Sequence, residues 1–239
     1  MRTMRLDFSG ERVLAVVAHP DDGEYLCAGT LARAKRDGAA IGICVLCRGD
    51  RGQPAAPIAN LAAVRRREMA AAAKLLGAVL LRGEFGDGQL VDGPARRRKL
   101  IQLYRRFKPT LVLAHWREDY HPDHRAAGAL AEATSWFCAS AGHKTQAVAM
   151  GSQPALWWMD TMNMTGFEPG FFIDVSDQMD LKRRMLACHK SQLRRSGDGD
   201  FAPLQEQMIR QAEARGTQAG VAAAEAFRVH PAWKRARAW

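Results

Sequence analysis

The chain has 239 residues, of which 47% are hydrophobic and 25% charged. That is enough apolar material for a sizeable core, so a disordered chain is excluded as the default and a single large α/β domain is favoured. The formal net charge of +10 is scattered over short basic runs with no aromatic interleaving, which read as solvated helix faces, and no nucleic-acid partner is expected.

The first residues run through charges before a short apolar stretch. They form neither a signal peptide nor a membrane span, so a cytoplasmic protein is expected. Residues 13–18 are apolar on both faces, as a central parallel strand requires. Residues 28–36 read as a helix that stops at Asp37-Gly38. A second strand over 41–47 contains Cys44 and Cys47. Positions i and i+3 of a strand point to opposite faces, so these two thiols are not expected to share a metal ion. The five cysteines, an odd number without regular spacing, indicate reduced thiols. Residues 48–57, rich in Gly, Pro and Arg, form a loop.

Asn60 is placed to cap a helix over 61–76, which Gly77 closes. A third strand is predicted over 78–82 and a helix from Pro94 to about residue 107. Residues 111–114 read as a fourth strand, and 122–139 as a helix. A fifth strand is expected over 146–150, with further strands over 156–159 and 171–175. Asp177 is placed to cap a helix reaching about residue 196, followed by a polar stretch over 196–200, more helix and a basic tail. The repeated strand–helix alternation predicts an α/β fold, with a mostly parallel sheet covered by helices on both faces and extra C-terminal strands and helices.

Two segments carry chemistry. Ala18-His19-Pro20-Asp21-Asp22-Gly23-Glu24 leaves the first strand, and His121-Pro122-Asp123-His124 follows the fourth. In a sheet of order 3-2-1-4-5 these strands are neighbours at the switch point, where ligands bind. His19, Asp22 and His124 then supply an N/O/N donor set, with a position left for water, as in a catalytic zinc site. Fe2+ or Co2+ are alternatives to Zn2+ in such a site. Asp21 is placed to act as general base. A protonated His121 is expected to stabilise an oxyanion and then protonate a leaving amine, with Asp123 holding its imidazolium form.

These residues resemble the two signature motifs of the PIG-L/LmbE-like N-deacetylases, which also include Gly29-Thr30-Leu31-Ala32 and Arg125-Ala126-Ala127. The resemblance continues in Arg48-Gly49-Asp50-Arg51-Gly52, Arg65-Arg66-Arg67-Glu68, Leu76-Gly77 and Gly86-Asp87-Gly88-Gln89-Leu90. It extends to Asp174-Val175-Ser176, Lys182, His189-Lys190-Ser191-Gln192 and Glu225-Ala226-Phe227. It implies a single deacetylase domain over 1–239 with a Rossmann-like fold. It also implies a zinc-dependent hydrolase that removes the acetyl group of an N-acetylglucosamine-type conjugate, with the same metal ligands, base and acid. Arg65 is the implied sugar contact, and Asp87 is a further substrate-binding candidate.

Arg48 departs from the family's usual Thr or Asn, and the Trp- and Met-rich region 133–170 matches no family pattern. Trp157 and Trp158 alternate across a strand, which leaves one of them, Trp158, to stack on a sugar or aglycone. The expected partner is a small amino-sugar conjugate, with a homo-oligomer as a possible assembly. The alternative reading is a non-catalytic glycan- or nucleotide-binding module on the same fold.

Overall fold

A computed structural model of the chain describes residues 6–197 and 203–231. Residues 198–200 of the expected polar stretch over 196–200, the extreme N-terminus and the basic tail lie outside the described residues. In chain order the elements begin with β1 (Arg12–Val17), α1 (Asp22–Leu26), α2 (Ala28–Arg36) and β2 (Ala40–Cys47). Next come α3 (Leu61–Leu76), β3 (Val79–Phe85), α4 (Pro94–Phe107), β4 (Leu111–Ala114) and α5 (Pro122–Phe137). The last part contains β5 (Ala155–Met159), β6 (Phe171–Asp174), α6 (Met179–Leu186), α7 (Lys190–Leu193), α8 (Leu204–Ala219) and β7 (Ala224–Val229).

The strands form one seven-stranded sheet of order β3-β2-β1-β4-β5-β7-β6. The first five are parallel, and β7 inserts antiparallel between β5 and β6. The 3-2-1-4-5 order therefore holds and is extended at one edge. Alternate residues of β1, Val13, Ala15 and Val17 against Leu14 and Val16, enter separate apolar layers on the two faces. Both faces are covered, which is why β1 is apolar from Val13 to Val17.

Several expectations change. The fifth position is filled by 155–159, with Leu111 opposite Ala155 and Ala114 opposite Trp158, and not by 146–150. In that earlier segment Ala147 N donates to Gln102 Oε1 at 3.1 Å and Met150 N to Cys138 O at 3.0 Å. The buried Arg105 guanidinium donates to the carbonyls of Cys138, Ser140, His143 and Ala147, at 2.9, 2.7, 2.7 and 3.3 Å. Asn60 has φ 51° and makes no side-chain cap. Its carbonyl accepts from Ala63 N at 3.0 Å instead. Asp177 pairs with Arg36 rather than capping a helix. The long helix expected there is split into α6 and α7 around His189.

β7 was not foreseen, since Ala-Glu-Ala-Phe-Arg-Val has weak strand propensity. Its Glu225 explains its position. The carboxylate accepts from Gly29 N at 2.9 Å and Thr30 N at 2.7 Å, at the N-terminus of α2. It also pairs with Lys182, which donates to Tyr25 O at 2.9 Å. A Cβ on Gly29 would lie 2.7 Å from Val175, so only glycine permits this close approach. Lys182 is 1% exposed. Glu225→Gln leaves its charge buried without a counter-ion, and urea denaturation should show a stability loss of about 3–5 kcal/mol.

Candidate active site

β1 and β4 are hydrogen-bonded neighbours, with Val16 opposite Ala114. Past β1 the chain turns toward β2, and past β4 toward β5, so the crevice at their carboxyl ends is the switch point. His19, Asp21 and Asp22 stand at the exit of β1, and His115, Asp119, His121, Asp123 and His124 at the exit of β4.

Asp22 sits at the centre, 1% exposed. Its Oδ2 accepts from His19 N at 2.7 Å and lies 3.1 Å from His115 Nε2 and 3.6 Å from His19 Nδ1. Its Oδ1 lies 3.4 Å from His124 Nε2. Burial opposes its ionisation, yet the His124 and His115 rings hold its carboxyl well below the usual range.

Each outer histidine is oriented from behind by a carboxylate. His19 Nε2–H donates to Asp123 Oδ2 at 3.0 Å, and His124 Nδ1–H donates to Asp119 Oδ1 at 3.1 Å. The nitrogens left over, Nδ1 of His19 and Nε2 of His124, both face Asp22. Carboxylate-backed imidazoles converging on a third oxygen donor are the arrangement of a divalent-metal site, so this donor set fits the metal that the sequence implies. His121 has a nitrogen within 4.8 Å of one on each of His19 and His124, and Asp22, His115 and His124 form an overlapping group. His115 is fully buried, stacked 4.0 Å from the His124 ring, with its Nε2 accepting from Ala18 N at 3.1 Å.

Asp21 is 5% exposed and adopts φ 97°, a left-handed conformation rare for a residue with a side chain. Burial, and then the Asp22 charge, raise its pKa to about 7. His121 precedes α5, and its Nδ1 accepts from Asp123 N at 3.1 Å. Its Nε2 is therefore the donor nitrogen of the neutral ring. Burial, then the neighbouring His124 and His19, depress its pKa to about 4. This corrects the expectation of a protonated His121 held by Asp123, whose carboxylate serves His19, Gly88 N at 2.7 Å and Leu90 N at 3.3 Å.

Of the three substrate candidates, Arg65 acts electrostatically on Asp21 and Asp87 on His19, whereas Trp158 lies in the core. Arg65 is 4% exposed and donates to Gly52 O at 2.9 Å and to Gln192. Glu68, one turn further along α3, accepts from Ser191 N at 2.8 Å. Together they fasten α7 to α3. Gly49 has φ +72°, and a Cβ there would lie 2.3 Å from Arg65 Cδ. Asp87 accepts from Gly49 N at 2.8 Å and Arg51 N at 3.1 Å, bracing one loop against the other. Trp158 is 2% exposed and packs edge-on against Trp116 and His230 in the core, so it offers no face to a sugar. The expectation that one of the tandem tryptophans faces outward fails because both faces of the sheet are covered. Trp157 packs with Phe8 and Phe171 on the other side.

Sequence reasoning missed Asp119. Its position in the β4–α5 turn, two residues before His121, is the one signal that marked it. Its Oδ1 also accepts from His121 N at 2.9 Å, so it positions both the turn and His124. The motifs contain His189 and Glu24 but not the sign that they pair, 3.3 Å apart and buried, and nothing in them marks Tyr120. The Tyr120 ring is 52% exposed and lies 5.9 Å from that of His124.

The family model of PIG-L, the GlcNAc-PI de-N-acetylases, matches residues 14–135, a stretch containing both histidine motifs. The chain belongs to this family. It is similar to diacetylchitobiose deacetylase of Thermococcus kodakarensis, 28% identical over 192 residues that cover 76% of this chain and 70% of that protein. It is equally similar to 4-oxalmesaconate hydratase of Pseudomonas putida, 28% identical over 188 residues covering 75% of this chain and 73% of that protein. A solved conserved protein from Thermus thermophilus is 32% identical with a TM-score of 0.80, over 95% of this chain and all (100%) of that one.

Asp119→Asn removes the carboxylate behind His124 and should weaken Zn2+ affinity about 10–100-fold in a competitive chelator titration. In the metal-free protein, burial opposes the charge on His19, but Asp123 and Asp22 raise its pKa to about 10. Burial likewise opposes the charge on His124, while Asp22 and Asp119 raise it to about 9. Both rings are thus protonated at neutral pH, and a metal must displace one proton from each. Zn2+ affinity should therefore rise with pH, by about 100-fold per unit near pH 7, flattening as pH passes these values.

Proposed function

We infer that the chain is a metal-dependent amide hydrolase that removes the acetyl group from an N-acetylglucosamine-type conjugate. The observation that carries this reading is the convergence of His19 Nδ1, His124 Nε2 and the Asp22 carboxylate, with each histidine backed by its own carboxylate. The family membership and the deacetylase relative support it.

His19, Asp22 and His124 would hold the ion, with Zn2+ favoured and Fe2+ or Co2+ as alternatives. When bound, a divalent metal supplies Lewis acidity and lowers the pKa of water to about 7. Asp21, with its pKa near 7, takes the proton of the attacking water. Neutral His121 offers Nε2–H to the oxygen of the acetyl carbonyl as negative charge develops there. Asp21 then returns the proton to the departing amine, giving acetate and a free amine. Tyr120 is the accessible aromatic beside these rings and supplies an apolar wall for a sugar face.

A second reading is favoured by the hydratase relative. The same base and donor set would add water across a carbon–carbon double bond, with no acetate released.

Acetate release from N-acetylglucosaminyl substrates, with and without chelator, separates these readings. Asp21→Ala should retain metal and lose about 10²–10⁴-fold in kcat. His124→Ala should lose the metal itself by elemental analysis. Undiminished acetate release from fully demetallated protein overturns the mechanism. Hydration of 4-oxalmesaconate without acetate release from any N-acetyl substrate establishes the second reading.

A further inference from the structure

Cys47 closes β2, and β2 and β3 shift register between Val45 and Cys47. Before that irregularity the strand alternates normally, with Ile43 and Val45 in one apolar layer and Cys44 and Leu46 in the other. After it, Cys47 stays on the side of Leu46 instead of returning to that of Val45. The expectation that Cys44 and Cys47 face opposite ways is therefore overturned by a local bulge. The bulge delivers one thiol, not two, to the edge of the active site.

There Cys47 Sγ, a nitrogen of His19 and a carboxylate oxygen of Asp123 all lie within 4.8 Å of one another. Of the two His19 nitrogens, Nε2 is the one paired with Asp123, 3.0 Å from its Oδ2. Bonds of about 2.0–2.3 Å to a tetrahedral ion put its donors about 3.3–3.8 Å apart, so shifts of about an ångström bring all three into coordination. Asp87, Asp22 and Asp50 add their negative field at the same thiol. One soft sulfur, one imidazole and one carboxylate in an anionic surround suit a thiophilic divalent cation.

We propose that Cys47, His19 Nε2 and Asp123 form a second cation position, joined to the first through the two nitrogens of His19, and that a thiophilic divalent ion in excess occupies it and inhibits the enzyme. Occupation replaces the Cys47 S–H and the His19 Nε2–H by bonds to the ion and releases two protons to solvent. The Nε2–H···Asp123 bond that orients His19 is then lost. The inference rests on the proposed first metal position only through His19.

The test uses cadmium, because the first position contains no sulfur. In a Cys188→Ser background, which removes the partly exposed thiol, the full chain is titrated with Cd2+. Thiolate-to-cadmium ultraviolet absorption should develop within two equivalents. Cys47→Ser should abolish that absorption and weaken the second equivalent by at least about tenfold, leaving the first equivalent unchanged. Acetate release without added metal should be unaltered in Cys47→Ser, and inhibition by excess Zn2+ should need at least about tenfold more metal. Persistence of the absorption in Cys47→Ser, or its absence from the Cys47-containing protein, overturns the proposal. Retention of the first equivalent by Cys47→Ser shows that the variant is folded. Failure of the deacetylase reading registers separately, as Cd2+ absorption without acetate release from any substrate.

Discussion

The buried carboxylate of Asp22 is the interaction on which the active site depends. It accepts the backbone amide of His19, lies against the His115 ring and faces a nitrogen on each of His19 and His124. One anion thereby ties the end of β1 to the end of β4. A carboxylate with almost no access to water is tolerable only because it is surrounded by donors and by protonatable rings. Those groups are also what a divalent ion requires. Without an ion the cluster is held by protons on His19 and His124, and the site exchanges one kind of positive charge for another.

Around this centre, motif residues also hold the scaffold. Arg65, Glu68 and Asp87 spend polar groups on Gly52, Gln192, Ser191, Gly49 and Arg51. Glu225 and Lys182 do the same for α2. A charged side chain that recurs in a motif can be there because a loop needs its backbone amides satisfied. The two roles look alike in one dimension and differ in burial. Tyr120, which no motif marks, is the exposed ring at the mouth, while Trp158 is sealed in the core.

The family context also narrows the chemistry less than the motifs suggest. A deacetylase and a hydratase resemble this chain to the same degree. Both reactions need a water molecule activated next to an electrophile. The β1 and β4 exits, which hold the carboxylates and imidazoles, carry the groups that either reaction would use.

The sequence by itself determined the α/β alternation, the first four strands of a mostly parallel sheet and the two histidine segments that leave β1 and follow β4. These follow from local periodicity, from which strands carry apolar residues on both faces, and from topology rules that permit few alternatives. Tertiary structure alone decided the rest. It put 155–159 in the sheet and left 146–150 out, where Ala147 O accepts from Arg105 and Met150 N donates to Cys138 O. It inserted β7 beside β5, fixed by a carboxylate from a strand with little propensity of its own. It turned Cys47 toward His19 through a bulge invisible to a two-residue period. It made His121 neutral and Asp21 basic, since both properties come first from burial, and then from the neighbouring charges of Asp22 on Asp21 and of His124 and His19 on His121. Spacing along a chain records which donors are available, whereas tautomer, pKa and exposure are properties of the space they fold into.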